Sequence, residues 1–387
     1  MENRKVIVVG AGIGGLAAGY WLGQRGYEVE ILEASDRPGG RMMTLERNGD
    51  KVDVGAQFYH SDYRYAYQLM DAVGLTPTKR IIHGKTQFLL GDGSSFLYDH
   101  RMPYMKVLGL RGNLKLYWLV LKYAFLKRRF PLYRITQDRP EYDDVEIMEL
   151  FREEADGPLW DYVVTTMSMA ENMGMPEWMS LYHFLHTFRL TSFTDFVALS
   201  GGVASLPEAL ARILPVEYEA PVRRLVTEKG RVAGVQMEGD GSVRGAGHVI
   251  VAVAPSAAAL LMPEELEEQR RFFDSVIYSP FPMPVFFLDR PLSGEVWSYF
   301  GDPKMRRTFQ FALDEHSKVP EMSPSGKTVL TAWSGHPMTL ELMDLPDDEI
   351  IEKAREDLEL IIPGFSGWIE ETAMVRHSFG IARYPTG

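Results

Sequence analysis

Gly10, Gly12 and Gly15 stand at G-x-G-x-x-G spacing, with Ala11, Ile13 and Gly14 between them, and Glu33 follows 18 residues after Gly15. Each residue type suits one task at a dinucleotide. The first glycine permits a tight turn, the second lets backbone approach a pyrophosphate, and the third lets a helix pack closely on a strand. The acid can accept hydrogen bonds from a ribose hydroxyl. The spacing alone is weak evidence, because a glycine-rich turn needs no ligand. Strand, helix and acid accompany it here, so a dinucleotide site is expected.

The elements that must position these residues are legible on both sides. Residues 6–9 are an apolar, mostly β-branched run without polar alternation, which predicts a strand buried on both faces. Leu16, Ala17, Tyr20, Trp21 and Leu22 recur at helical spacing and stop at Gly26. Residues 29–32 are a second apolar strand, ending in the acid. The opening of the helix would turn free N–H groups and the positive dipole end towards phosphates.

Two more blocks follow, Asp36-Arg37-Pro38-Gly39-Gly40-Arg41 and Asp53-Val54-Gly55-Ala56-Gln57-Phe58. With these blocks in this order, the chain resembles the FAD-dependent amine oxidase, protoporphyrinogen oxidase and phytoene desaturase superfamily. The resemblance implies an α/β fold, with an FAD-binding, Rossmann-like (doubly wound) domain and a discontinuous α+β substrate domain. It implies FAD rather than NAD, since an NAD enzyme has no need of the second glycine block. Carried over, Glu33 and Ala34 lie at the ribose, and Gly40 and Arg41 along the diphosphate and ribityl chain. Gly55, Ala56, Gln57 and Phe58 line the flavin, and the backbone of Val222 meets the adenine.

At 387 residues, with 45% hydrophobic and 24% charged residues, the chain can fill two cores, and disorder is not expected. A net charge of −12 argues against nucleic-acid binding. The absence of cysteine removes disulfides, thiolate metal sites and cysteinyl flavin attachment, and fits a reducing compartment. The first strand begins within five residues, which leaves no room for a signal peptide, and no apolar run reaches spanning length. A cytoplasmic protein is expected, lying at most on a membrane surface.

Residues 1–75, 200–255 and 371–387 are assigned to the FAD-binding domain, and 76–199 with 256–370 to the substrate domain. Residues 59–74 read as a helix; His60, just past Gln57, could face the flavin, but a surface or helix-start histidine is the preferred account and it is given no role. A hairpin is expected around Gly91-Asp92-Gly93, within 81–98. Residues 101–139 hold ten Lys or Arg and one acid, Asp138. On a helix there, Arg111, Lys115, Lys122 and Arg129 form a narrow basic stripe among Leu114, Tyr117, Trp118, Leu121, Phe125 and Leu126. That pattern suits an anionic membrane surface, and equally a packed helix with its lysines in water.

Residues 143–154 and 159–173 read as further helices. The aromatics Trp178, Tyr182, Phe184, Phe188, Phe193 and Phe196 are taken as core before pocket, and His183 and His186 lack the partners of a metal site. Ser205 and Glu208 have capping-box spacing. Strands are expected at 222–227, 232–238, 243–246 and 248–253.

Superfamily members carry a last segment that re-enters the FAD-binding domain, expected to begin where this sequence stops, at 382–387. On that reading FAD is held weakly, and a truncated, inactive flavin-fold protein is one alternative. Amine oxidases of the superfamily also place a lysine on the strand after the second departure from the nucleotide domain. Pro282-Met283-Pro284 stands at the nearest position. The expectation is therefore hydride removal from a lipophilic small molecule, as in protoporphyrinogen oxidase or a carotenoid desaturase, with an amine oxidase as the other alternative. No residue is assigned as catalytic acid or base, because hydride transfer to flavin requires none.

Overall fold

Strand Lys5–Val9 lies inside a four-stranded parallel sheet ordered Val216–Glu217, Glu28–Leu32, Lys5–Val9, His248–Val251. In this computed structural model, which describes residues 4–99, 105–126, 140–155, 157–305, 307–383 and 386, both faces of that strand are buried. Val6 and Val8 pack with Leu16, Ile31, Leu206 and Leu210 on one side. Ile7 and Val9 pack with Leu32, Leu225 and Val235 on the other. The period of two along a strand covered on both faces explains the unbroken apolar run. Helix Ile13–Gly23 covers one face, and an antiparallel sheet of Val222–Glu228, Arg231–Met237 and Val243–Gly245 lies on the other side.

A seven-stranded sheet forms the second unit, ordered Ile369–Ala382, Tyr278–Leu288, Val329–Trp333, Phe311–Asp314, Val296–Phe300, Lys85–Leu89, Ser95–Tyr98. Alternate residues again divide two cores. Phe286, Leu288, Ala312, Leu330 and Ala332 meet the helix Asp347–Ile361 through Ile350, Ala354 and Leu358. Val285, Phe287, Phe311, Leu313 and Trp333 face the helical segments of 105–193. The hairpin Lys85–Leu89 to Ser95–Tyr98 turns at Gly93 in the left-handed region, as expected from its Asp-Gly turn.

Several local expectations are corrected. Helix 59–74 is only Arg64–Ala72, because Tyr59–His60 pairs as a short strand with Phe196–Leu199. The acidic helix 143–154 shrinks to Ile147–Phe151, and Asp143 instead accepts a hydrogen bond from the Ser180 hydroxyl at 2.9 Å. Residues 159–173 form a wide-turned segment, Trp160–Thr165, and then helix Thr166–Asn172. No capping box forms at Ser205. The backbone N–H groups of Val203 and Ala204 are served from elsewhere, by Asp53 Oδ1 at 2.9 Å and Thr44 Oγ1 at 3.1 Å. Residues 371–382, assigned above to the FAD-binding domain, belong to the edge strand of the seven-stranded sheet, in long register with Tyr278–Leu288. They still touch the first unit, where His377 donates to the Val54 carbonyl at 2.5 Å.

Helix Gly109–Leu126 packs Asn113, Leu116 and Leu119 inward and leaves Leu110, Leu114, Tyr117, Trp118 and Leu121 exposed. Arg129 lies outside the described residues. Of the other stripe cations, Arg111 and Lys115 pair with Glu153 and Glu154, and Lys122 stands over the Trp118 ring. Among the described residues no helix is long and apolar enough to cross a membrane.

Two histidines on helix Leu181–Phe193 bear on stability. Burial, and then its neighbour His186, lower His183 to about 3, while burial, and then Arg189 and His60, lower His186 to about 4. Both are neutral in the folded state and protonate in the unfolded chain below about pH 6.5, so stability falls as pH drops through that value. At pH 5.5 each should cost about 1.4 kcal/mol relative to high pH. Urea unfolding at pH 7.5 and 5.5 measures the difference, which should shrink in a His183→Gln/His186→Gln variant. An unchanged difference would refute the assignment.

Candidate functional site

The glycine loop is built by contact, not by habit. Gly10 has φ +101°, and a Cβ there would stand 2.8 Å from the Ala252 carbonyl oxygen. A Cβ on Gly15 would meet the Gly10 oxygen at 1.9 Å, so strand and helix can approach only without side chains. Gly12 and Gly14 are bare for a different reason, since a Cβ on either would meet no heavy atom within 4 Å. Gly12 is the N-cap of helix Ile13–Gly23 and supplies no capping side chain. It lies beside the second glycine pair: Gly39 N donates to Ala11 O at 2.9 Å, and a Cβ on Gly40 would be 3.7 Å from Gly12 Cα. Open backbone at a helix N-terminus is a cradle for an anion of diphosphate size.

Glu33 is held at the rim of this cradle. Its Oε2 accepts from Ala11 N at 2.7 Å, and its Oε1 from the N–H and hydroxyl of Ser35 at 3.0 and 2.8 Å. Ala34 beside it is exposed. Ala220 N donates to the Glu33 carbonyl at 2.9 Å, which brings Val222, at the head of its strand, to the same end. Arg41 points another way: its guanidinium donates to Gly380 O at 3.1 Å and stands 5.8 Å from the Tyr278 ring. The donor and acceptor types fit FAD: bare N–H groups for the diphosphate and a carboxylate for the ribose.

The turn 53–58 is tied down on all sides. Ala56 N donates to Arg41 O at 3.1 Å, and a Cβ on Gly55 would stand 2.0 Å from that same oxygen. The Gln57 amide donates back to Asp53 O at 2.6 Å. Beneath lies a lysine that sequence reasoning missed. Lys318 Nζ reaches Asp53 Oδ2 at 3.2 Å, Gln57 O at 3.2 Å, Gln57 Oε1 at 3.1 Å and Glu315 Oε1 at 2.9 Å. It stands more than 260 residues from the turn it contacts, and no local pattern marks it.

Gly55, Ala56, Gln57 and Phe58 form part of the wall of a cavity of about 330 Å³. The rest is mostly aromatic and apolar: Phe88, Tyr98, Tyr162, Phe196, Trp297, Phe300, Phe311 and Trp333, with Met105, Val163 and Met167. Of the aromatics in 178–196, Phe196 reaches the cavity, while Tyr182, Phe184 and Phe188 are core. Among the described residues no cluster of three metal-binding side chains is present.

His60 overturns its expectation. It is 2% exposed and lines the cavity next to Phe58, with ring centroids 5.5 Å apart. The Thr194 hydroxyl donates its one proton to Leu190 O at 2.7 Å, so it accepts from His60 Nδ1–H at 2.9 Å. The other ring nitrogen, Nε2, lies 3.9 Å from the Glu171 carboxylate on the same wall.

Loss of the ribose acceptor and blockage of the cradle should differ in size. Glu33→Ala removes charge-assisted hydrogen bonds worth ~1.5 to 3 kcal/mol, or roughly 10- to 100-fold in FAD affinity. Gly12→Val should weaken binding further by filling the open space. Fluorescence titration of apoprotein with FAD measures both, and equal affinities in all three proteins would refute the site.

Residues 13–387 match the family described as flavin containing amine oxidoreductase. The chain is 26% identical over 278 residues to a zeta-carotene-forming phytoene desaturase of Myxococcus xanthus, covering 62% of this chain and 51% of that protein. It thus spans about half the length of that relative. Coproporphyrinogen III oxidase of Bacillus subtilis (strain 168) is 22% identical over 433 residues, covering 100% of this chain and 88% of that protein. In fold the chain is similar to the crystal structure of a putative protoporphyrinogen oxidase from Exiguobacterium sp. 255-15. The TM-score is 0.75 at 20% identity, covering 100% of this chain and 89% of that one. The chain belongs to the flavin-containing amine oxidoreductase family.

Proposed function

We propose that the protein is an FAD-dependent oxidoreductase that removes hydride from a lipophilic substrate of the porphyrinogen or carotenoid kind. The observation that carries this reading is the aromatic cavity whose wall includes the turn Gly55–Phe58. Its volume is that of a small-molecule site, and its lining favours an apolar body over a charged one. When bound, FAD would supply the hydride acceptor. The chain contributes the rest. Gly10 to Gly15, Glu33 and Gly40 bind the cofactor, and the aromatic walls orient the substrate and exclude water. His60 Nε2 can take up the proton that leaves when a second hydrogen is lost.

The strand Tyr278–Leu288 passes Pro282, Met283 and Pro284 without a lysine, which supports the porphyrinogen and carotenoid side. One observation favours an amine oxidase: the Glu171 carboxylate on the cavity wall could pair with an ammonium. Anaerobic mixing of the flavinated protein with coproporphyrinogen, protoporphyrinogen, phytoene and cyclohexylamine separates the readings. Bleaching of the visible flavin band by one of the first three is expected. Bleaching by the amine alone would decide for the second reading.

Peripheral association with an anionic membrane is part of the proposal. Leu110, Leu114, Trp118 and Leu121 form one exposed stripe on helix Gly109–Leu126, and removing such side chains from water gains about 1.5 to 3 kcal/mol each when complete. Asn113 fastens the opposite face, bonding the Met105 N–H and carbonyl at 3.1 and 2.9 Å. Wild type should sediment with phosphatidylglycerol vesicles, less so at high salt. Replacing Leu114, Trp118 and Leu121 by Ser should abolish sedimentation and leave FAD content unchanged. Wild type that ignores vesicles at low salt would overturn this part.

A further inference from the structure

Lys318 ends the short helix Glu315–Lys318, which follows strand Phe311–Asp314 of the seven-stranded sheet. Its side chain and those of Asp53 and Glu315 are completely buried. The ammonium has three N–H donors, and four acceptor groups of three residues compete for them: the Asp53 carboxylate, the Gln57 carbonyl, the Gln57 side-chain oxygen and the Glu315 carboxylate. Asp53 is used on its other edge as well, where Oδ1 accepts from Thr44 Oγ1 at 2.7 Å and Val203 N at 2.9 Å. One cation thus joins the substrate-side sheet to the turn that carries Gly55 to Phe58.

A buried ion cluster is poor material for stability alone, since desolvation offsets most of the attraction. Two carboxylates also face one ammonium. Burial raises the Glu315 carboxyl above the usual carboxylate range despite Lys318, and Asp53 adds to the rise. Burial alone would lower the ammonium, but Glu315 and Asp53 outweigh it and hold Lys318 above its ordinary value. The cluster gains one negative charge when the Glu315 proton leaves. Asp53, from strand Asp50–Asp53, and Lys318, from its own helix, are the charged groups set against Glu315.

We infer that Lys318, with Glu315, is a positioning element of the FAD site, clamping Asp53 and Gln57 from the opposite sheet so that the turn 53–58 keeps its cofactor-facing shape. The inference rests on the FAD reading of that turn. It assigns Lys318 no contact with the cofactor or substrate. Its consequence is that FAD affinity depends on this charge arrangement and changes with pH as Glu315 titrates.

The test is FAD titration of apoprotein, followed by quenching of FAD fluorescence, together with apoprotein unfolding. Lys318→Met leaves two carboxylates without a cation, so Lys318→Met/Glu315→Gln is the informative variant. It should unfold cooperatively without FAD and bind FAD at least tenfold more weakly than wild type. Affinity within twofold of wild type would overturn the inference. Glu315→Gln alone keeps the lysine and gives an independent reading. Wild-type affinity should fall severalfold between pH 7 and 9, and the Glu315→Gln profile should be flat. Parallel profiles would overturn the inference even where both lysine variants fail to fold. If wild type binds no FAD at any pH, the FAD reading itself fails, and the inference with it.

Discussion

A polyanion can be held by main-chain N–H groups only where no side chain stands between. That constraint governs the first unit. Gly12 and Gly14 leave open space, Gly40 faces Gly12, and Gly10 and Gly15 allow the strand and helix that present them to touch. The parallel sheet, the helix Ile13–Gly23 and the second glycine pair can all be read as the means of keeping one patch of backbone bare and pointed outward. Glu33 extends the patch by one acceptor, and the bonds from Ala11 and Ser35 hold its carboxylate there.

The cavity obeys the opposite logic. Its walls are aromatic, so any polar group on them must be satisfied or be available for use. His60 is satisfied at one nitrogen by Thr194 and faces Glu171 with the other. Gln57 has its oxygen on Lys318 and its amide on Asp53, leaving the turn's backbone rather than its side chain to meet a ligand. The two polar clusters are therefore different devices: one faces the cavity, the other sits beneath its wall and holds it.

Helix Gly109–Leu126 shows why a one-dimensional pattern can leave a question open. Its apolar residues cover much of the circumference, so packing and membrane contact are equally served. The fold decides which face is spent on the core. Leu116 and Leu119 go inward, and Leu110, Leu114 and Leu121 are left in water.

Residues close in the chain were legible from the sequence by themselves. Glycine spacing, the apolar runs of the parallel strands and the acid at 33 are set by local sterics and by a strand's period, so the nucleotide unit and its dinucleotide site could be read directly, while FAD was implied by the family resemblance. The hairpin at Gly91-Asp92-Gly93 and the strands after residue 220 followed from turn chemistry in the same way. Tertiary structure decided whatever depends on partners far along the chain. His60 became a cavity residue because Tyr59–His60 pairs with Phe196–Leu199, and Ser205 lost its capping role because Asp53 and Thr44 serve the helix start instead. The strand Ile369–Ala382 joined the second sheet through its register with Tyr278–Leu288. Lys318 is the clearest case. Nothing in the local sequence marks it, and only the packing of the seven-stranded sheet against the turn 53–58 buries it beside Asp53 and Gln57 and makes its charge part of the site.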